Sequence, residues 1–297
     1  MNSEQLAKIA EGMGFVAALD QSGGSTPKAL KLYGIDESAY SSEEEMFDLV
    51  HEMRTRIVTN PAFDGDRVIG VILFEATMDR EFEGMPAADY LWQRKKVVPF
   101  LKVDKGLAEL ADDVQLMKPM PQLGELLERA KQKNIFGTKM RSVVVEANPK
   151  GIEAILDQQF EVGQQIADAG LLPILEPEVS IKATHKPRAE VLLKRGILER
   201  LDALPANTKV ALKLTLPTIY GYYEELIKHP KVVRVLALSG GYPRIEAVNL
   251  LMHNPGMIGS FSRALTEGLS VEETDEEFTV NLDAAIDIIH HSSTYVW

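Results

Sequence analysis

The 297-residue chain contains no cysteine, which excludes disulfides, cysteine-ligated zinc and thiol nucleophiles and fits a reducing compartment. Long hydrophobic runs are missing as well. The longest, such as VIGVILF, are strand-sized and fall far below the ~18 residues that a membrane span needs. The N-terminal MNSEQLAKIAEGMG has no apolar core of signal-peptide type, because Glu4, Lys8 and Glu11 interrupt it, so the expected address is the cytoplasm. There is no excess of positive charge: 32 Lys+Arg face 44 Asp+Glu, a net charge of −12, which argues against nucleic acid as a partner. A phosphorylated small molecule is compatible with that balance only if a local cationic pocket opposes the global field. Metal-ligand spacing is absent too, since His51, His185, His229, His253, His290 and His291 all lie outside the strand-like runs.

What is present is ordinary globular usage, 45% hydrophobic and 26% charged, which excludes disorder. At ~150 residues per domain the length suggests two domains, but a barrel of roughly 250 residues forms one. No Pro/Ser-rich linker divides the chain. Short apolar runs recur instead, most of them rich in β-branched residues: GFVAALD (14–20), VIGVILFE (68–75), VVPFLKVD (97–104), IFGTKMRS (135–142), LLPILEPE (171–178), KVALKLTL (209–216), VVRVLALSG (232–240) and MIGSFSRAL (257–265). Segments of helical period lie between them. Ser41 or Ser42 opens a capping box with Glu44 or Glu45, followed by Met46, Leu49, Val50, Met53 and Ile57 on one face. Ile152, Ile155, Leu156, Ile166 and Ala167 repeat the pattern, as do Ile245, Val248, Leu251 and Met252.

Eight strands alternating with helices predict an α/β protein, a single-domain (β/α)8 TIM barrel over 1–297. The first crossover (about 21–67) is enlarged, and a helical tail occupies about 271–297. A doubly wound open sheet is the alternative, but the GGS after Gln21 is a poor match to its Gly-rich phosphate turn.

In a barrel, functional groups sit at the C-terminal ends of strands on the parity that faces the lumen. In VALKLTL, Val210, Leu212, Leu214 and Leu216 share one parity and suit the helix layer, so Ala211, Lys213 and Thr215 face inward. Burying a lysine is costly; the alternative is reversed parity, with Lys213 snorkelling outward between helices. Lys139 and Arg141 share a face with Gly137, and Glu176 shares one with Glu178. Asp20 is in phase with Val16 and Ala18, and Lys102 with Asp104. Each has a plainer alternative, notably an ion pair of Glu178 with a neighbouring arginine or of Lys102 with a carboxylate. LSGG (238–241) ends a strand in small residues whose N–H groups can approach an anion, and Arg263 opens a helix after the last strand. The loops after strands seven and eight are the usual phosphate site of such barrels.

An internal lysine beside other cations suits an amine nucleophile. A second cation at about 6 Å, with an effective dielectric near 20, disfavours the ammonium by roughly 2.8 kcal/mol. A neutral amine attacks a ketone to give an iminium, an electron sink for breaking the adjacent C–C bond, and Asp20, Glu176 and Glu178 are available to move protons.

ALDQSGGSTPKAL, FLKVDKGL, GTKMRS, PILEPE, ALKLT, LSGG and SFSRAL, in this order and spacing from about Gly14 to Leu265, resemble the class I (Schiff-base) fructose-1,6-bisphosphate aldolases, particularly the short bacterial form. The resemblance implies a cofactor-free, metal-independent lyase acting on a phosphosugar, with neither nucleic acid nor membrane as partner and with a homo-oligomer allowed. It implies Lys213 as the Schiff-base lysine, Glu176 as acid/base with Glu178 assisting, Asp20 as base toward the C4 hydroxyl, and Lys139 as the cation between them. Lys102 and Arg141 would bind the 6-phosphate. Ser239, Gly240, Gly241 and Arg263 would cradle the 1-phosphate with Ser262 beside them, and Ser22 and Ser25 would contact substrate. Gln21, Met140 and Ser262 depart from the glutamate, tryptophan and glycine usual in animal members. The long tyrosine-ended tail of those members is absent as such; Tyr295 stands two residues from the end and reads as a helix-end aromatic. Two other expectations compete: a lysine-dependent barrel acting on another phosphosugar or keto acid, and a catalytically idle barrel that binds ligand without forming an iminium.

Overall fold

The computed structural model describes residues 1–295. Its apolar runs form eight parallel strands: β1 (Phe15–Leu19), β2 (Val68–Leu73), β3 (Val98–Lys102), β4 (Gly137–Val144), β5 (Leu172–Val179), β6 (Val210–Thr215), β7 (Val232–Leu238) and β8 (Met257–Gly259). They are hydrogen-bonded side by side in chain order, and β8 returns to β1 through the Ala18 N–H, which donates to the Phe261 carbonyl at 3.3 Å. The sheet is therefore a nearly closed (β/α)8 barrel. Runs such as VIGVIL are buried along their whole length because both faces of a barrel strand are covered, one by side chains in the lumen and one by helices.

Parity decides which side chain goes where. Val16, Ile72, Val98, Phe100, Leu172, Ile174, Ala211, Leu236 and Ile258 fill the lower lumen. The alternate set, including Leu19, Val71, Leu101, Leu175, Val210, Leu212, Leu214 and Leu216, packs against the helices. Lys213 thus shares the lumen phase of Ala211, and reversed parity is excluded. The helix Ser3–Glu11, capped by the Asn2 side chain, lays Ile9 into the lower end of the lumen. Arg234 of β7 fixes it there by donating to the carbonyls of Ala10 and Gly12 at 2.7 and 2.8 Å. With that end plugged, the polar C-terminal end is the one left accessible.

The first crossover carries the expected extra helices, Thr26–Leu32 and Glu43–Thr59, with a 3-10 turn at Glu37–Ala39. The capping box resolves to Ser42, whose hydroxyl accepts the Glu45 N–H, while the Glu45 carboxylate reaches back to the N–H and hydroxyl of Ser41. Three features depart from the sequence expectation. The crossover after β2 contains a small hairpin (Glu81–Phe82 with Met85–Pro86) and a π-type turn at Tyr90–Arg94. The crossover after β3 adds Val114–Gln115 antiparallel to the end of β4. The eighth strand ends at Gly259, and the chain then turns into a loop and the short helix Arg263–Thr266. Ile245, expected on the apolar face of the helix Arg244–Met252, is exposed; Ala247, Val248 and Leu251 define that face and Ile245 lies at its edge.

The expected tail proves to be the eighth barrel helix. Asp275–Thr294, opened by a Thr274/Glu277 capping box, buries Phe278, Leu282, Ile286 and Ile289, and its Ser293 hydroxyl accepts the Gly259 N–H at 3.0 Å. It covers the seam where β8 and β1 meet. Tyr295 caps this helix beside His291, with ring centroids 5.5 Å apart. Among the described residues no helix is long and apolar enough to cross a membrane.

Gly137, at the lumen start of β4, is required by close approach: a Cβ there would overlap the Leu172 carbonyl and come within 2.7 Å of the Phe100 ring. Gly137→Ala is expected to destabilise the fold by about 1–3 kcal/mol through overpacking, read as a lower urea midpoint at unchanged slope. An unshifted midpoint would show that the barrel floor can relax around the methyl group.

Candidate active site

The inward parity of five strands brings charged side chains to one level at the C-terminal mouth. Lys139 on β4 and Glu176 and Lys213 on β5 and β6 are nearly sequestered, with 2%, 3% and 4% of their surface exposed. They form a continuous ionic chain. Lys213 Nζ lies 3.0 Å from Glu176 Oε1, Lys139 Nζ lies 2.8 Å from Glu176 Oε2, and Lys139 Nζ lies 2.7 Å from Asp20 Oδ2. Cations and carboxylates alternate along it, which is the arrangement that makes burial of four charges tolerable.

The electrostatics follow from that alternation. Burial alone raises the Asp20 and Glu176 carboxyls, but Lys139 and Lys213 outweigh it and hold both below the usual carboxylate range. Burial alone lowers Lys139, but Asp20 and Glu176 outweigh it and hold the ammonium well above the ordinary lysine value. The sequence suggested bare cations beside Lys213; the structure instead interposes Glu176 between the two lysines. The buried amine therefore has a carboxylate within proton-transfer distance.

Around this chain the plainer alternatives for two residues are realised. Arg141 Nε donates to Glu178 Oε2 at 2.6 Å, so Glu178 holds an arginine instead of standing as a bare acid. Lys102 Nζ donates to both the carboxylate and the carbonyl of Asp104, each at 2.7 Å. Asp104 in turn accepts the N–H groups of Arg141 and Gly106, tying the β3 loop to β4. Burial raises Asp104, yet Lys139 and Lys102 pull it below its usual value.

The remaining candidates lie on the loops above. Ser22 and Ser25 close a turn after β1: the Ser22 N–H donates to Ser25 Oγ, and the Ser25 hydroxyl donates to the Ser22 carbonyl. Ser25 is therefore engaged in holding the loop, whereas the Ser22 hydroxyl has no hydrogen-bond partner among the described residues. Gly240 and Gly241 have φ of +58° and +115°, a left-handed turn closed to other residues without strain. It brings the loop after β7 so near the last that a Cβ on Gly241 would sit 3.5 Å from Arg263 Nη2. Apart from Gly241, these groups line one cavity of about 860 Å³, which Lys28, Lys105 and Lys118 also border. Its walls carry eight lysines and arginines against four carboxylates, the local cationic pocket that an anionic ligand of this acidic protein requires.

Arg54 escaped the sequence reading. It lies on the apolar face of the helix Glu43–Thr59, is fully buried, and donates to Thr77 and to Gln21. Burial draws its guanidinium down to about 10, still protonated at neutral pH. The available signal was a charged residue one turn after Val50, inside an otherwise apolar stripe. A second, more open cavity of about 440 Å³ lies elsewhere, between Tyr220, Ile245 and His253, and gathers no comparable set of charges.

The family model for class-I fructose-bisphosphate aldolases matches residues 2–216. The chain belongs to the class I fructose-bisphosphate aldolase family. It is 57% identical over 293 residues to a class 1 fructose-bisphosphate aldolase of Porphyromonas gingivalis, covering 99% of each chain. It is 58% identical over 292 residues to one of Synechocystis, covering 98% of this chain and 97% of that one. The fold also matches the solved structure of a fructose-bisphosphate aldolase from Plasmodium falciparum, with a TM-score of 0.75 at 19% identity, covering 98% of this chain and 93% of that one. Family membership places the ionic chain and the cationic cavity in an aldolase.

Removing the central cation tests the electrostatics. Lys139→Met leaves Asp20 and Glu176 buried without their shared partner and is expected to cost about 3–5 kcal/mol at pH 7. Without Lys139, burial raises the two carboxyls, so in the variant they take up protons and shed their penalty as the pH falls toward the ordinary carboxylate range, whereas the parent's carboxyls, held below their unfolded values, keep their contribution down to those values. The gap between variant and parent in urea unfolding should therefore narrow as the pH is taken from 7 toward 4. A gap independent of pH would mean that the carboxylates do not depend on Lys139.

Proposed function

We propose that the protein is a class I fructose-bisphosphate aldolase that cleaves fructose 1,6-bisphosphate reversibly to dihydroxyacetone phosphate and glyceraldehyde 3-phosphate through a Schiff base on Lys213. The observation that carries this is the Lys213–Glu176–Lys139–Asp20 chain, held at the lumen mouth beneath a cationic cavity. An amine, a carboxylate 3.0 Å from it and a second carboxylate reached through a fixed lysine are the parts that iminium chemistry needs.

Lys213 Nζ, after giving a proton to Glu176, attacks the C2 ketone to form a carbinolamine. Glu176 returns a proton to the departing hydroxyl, water leaves, and a protonated imine remains. Asp20 takes the C4 hydroxyl proton; the C3–C4 bond breaks, its electron pair moves into the iminium to give an enamine, and the aldehyde product departs. Protonation of the enamine at C3 and hydrolysis of the imine release dihydroxyacetone phosphate and restore the amine. Lys139 keeps Asp20 and Glu176 ionised between proton transfers. Lys102 and Arg141, oriented by Asp104 and Glu178, receive the 6-phosphate. Ser239, Gly240, Gly241 and Arg263 receive the 1-phosphate, with Ser262 at its edge and the Ser22 loop over the sugar. No metal or other cofactor takes part. The zero cysteine count and a phosphorylated substrate support a cytoplasmic site of action.

Borohydride reduction in the presence of dihydroxyacetone phosphate should attach the three-carbon skeleton to Lys213, as mapped by peptide mass spectrometry. Lys213→Met should abolish turnover, and EDTA should leave the parent activity intact. A label on another lysine, or a chelator-sensitive reaction, would refute the assignment.

A further inference from the structure

Hydrogen-bond polarity around Arg54 is forced, and its consequence extends into the cavity. A guanidinium can only donate. Arg54 Nη2 lies 2.6 Å from the Gln21 carbonyl and 3.2 Å from Gln21 Oε1, and Nη1 lies 2.7 Å from Thr77 Oγ1. Gln21 Oε1 must therefore accept, which fixes the amide rotamer and leaves Nε2 as the atom facing Ser262 Oγ at 2.8 Å. Nε2 donates, so Ser262 Oγ accepts. The single hydroxyl proton of Ser262 is then left over, with no acceptor for it among the described residues, and Ser262 lines the cavity immediately before Arg263.

We propose that Arg54 and Gln21 are positioning residues that make the Ser262 hydroxyl a one-way donor to the phosphate held by Arg263, Ser239 and Gly240. This rests on the aldolase reading for the identity of the ligand, but the donor direction follows from the three bonds alone. The relay adds an O–H of fixed direction to the backbone N–H groups, the Ser239 hydroxyl and the one guanidinium of the cradle. It also links the end of β1, where Asp20 sits, to the loop after β8 through the Gln21 side chain, which Arg54, with none of its own surface exposed, holds from behind. A glutamate at position 21 would invert the polarity: it accepts from Arg54 and from Ser262 alike, withdraws the proton and presents a lone pair to the anion.

The test uses Ser262→Ala, Gln21→Glu and the double variant, with thermal unfolding to confirm that each is folded. Half-saturation by dihydroxyacetone phosphate in borohydride labelling reads binding at this end, and maximal labelling reads the lysine chemistry. Ser262→Ala should raise the half-saturating concentration roughly tenfold, as for loss of one bond to a charged acceptor. Gln21→Glu should raise it at least as much. The double variant should fall well short of the product of the two effects, because both act through the same proton. Half-saturation unmoved by Ser262→Ala, or effects that multiply, would overturn the relay. Calorimetric titration with inorganic phosphate needs no chemistry and separates the two claims. If labelling is absent in the parent while Ser262→Ala still weakens phosphate binding, the lysine assignment fails and the relay stands. If labelling is intact while phosphate binds both proteins equally, the relay alone fails.

Discussion

The ammonium of Lys139, held between Asp20 and Glu176 at 2.7 and 2.8 Å, is the contact on which the rest of the site depends. It comes from β4, whereas its partners come from β5 and from the residue just past β1, so the barrel must close before the three can meet. None of them is tolerable at that depth alone, since an unpaired buried charge costs several kcal/mol. Lys139 therefore converts two carboxyls that burial would neutralise into carboxylates that persist at neutral pH. Glu176 is gripped through Oε2, which leaves Oε1 pointing at Lys213. One cation thus sets both the charge and the direction of the group that faces the amine.

A second constraint is the conflict between net charge and ligand charge. The chain carries −12 overall and yet lines its large cavity with twice as many cations as carboxylates. Low-dielectric walls make the local surplus count for more than the distant excess of acid. The surplus is not spread evenly. The deep charges are neutralised pairwise, as are Arg141 with Glu178 and Lys102 with Asp104. The pairing orients those two cations, and a phosphate arriving at either competes with a carboxylate already present. Arg263, Lys28 and Lys118 supply most of the attraction, since Lys105 is paired with Glu75, and the inner groups supply direction.

Much of this was legible in residue order. The alternation in VALKLTL puts Lys213 in the lumen because the opposite phase is a solid row of branched aliphatics. The same rule turns Lys139, Glu176 and Asp20 toward the lumen. What parity cannot show is who meets whom around the ring. Glu178 pairing with Arg141 depends on the stagger between β4 and β5, in which Arg141 stands opposite Glu176 and reaches one step further to Glu178. Glu176 standing between two lysines depends likewise on three strands at once. Arg54 was hidden for another reason: a lone arginine within an amphipathic stripe usually lies at its solvated edge, and only the folded first crossover shows that it points inward to Gln21. Ile245 erred in the opposite direction, because helical periodicity marks a face to within about a residue and Ile245 sits at its border.

The plugged and open ends of the barrel divide the labour between stability and chemistry. At the lower end the Phe100 ring and the Leu172 carbonyl approach so closely that Gly137 has no room for a methyl group. At the upper end the same strands carry groups with fixed polarity and little slack, each engaged by a neighbour whose own position is set by another element. Lys213 needs Glu176, Glu176 needs Lys139, and Lys139 needs Asp20, which is followed in the chain by the glutamine that Arg54 holds. Such a chain tolerates movement of a proton better than movement of a side chain. Shifting a proton along it changes charges whose partners are already within 3.0 Å, whereas displacing one side chain strands the next as an unpaired buried ion. A rigid floor beneath a proton-mobile mouth is therefore the arrangement this sequence enforces, and a reaction made largely of proton transfers around a fixed amine is the chemistry that uses it.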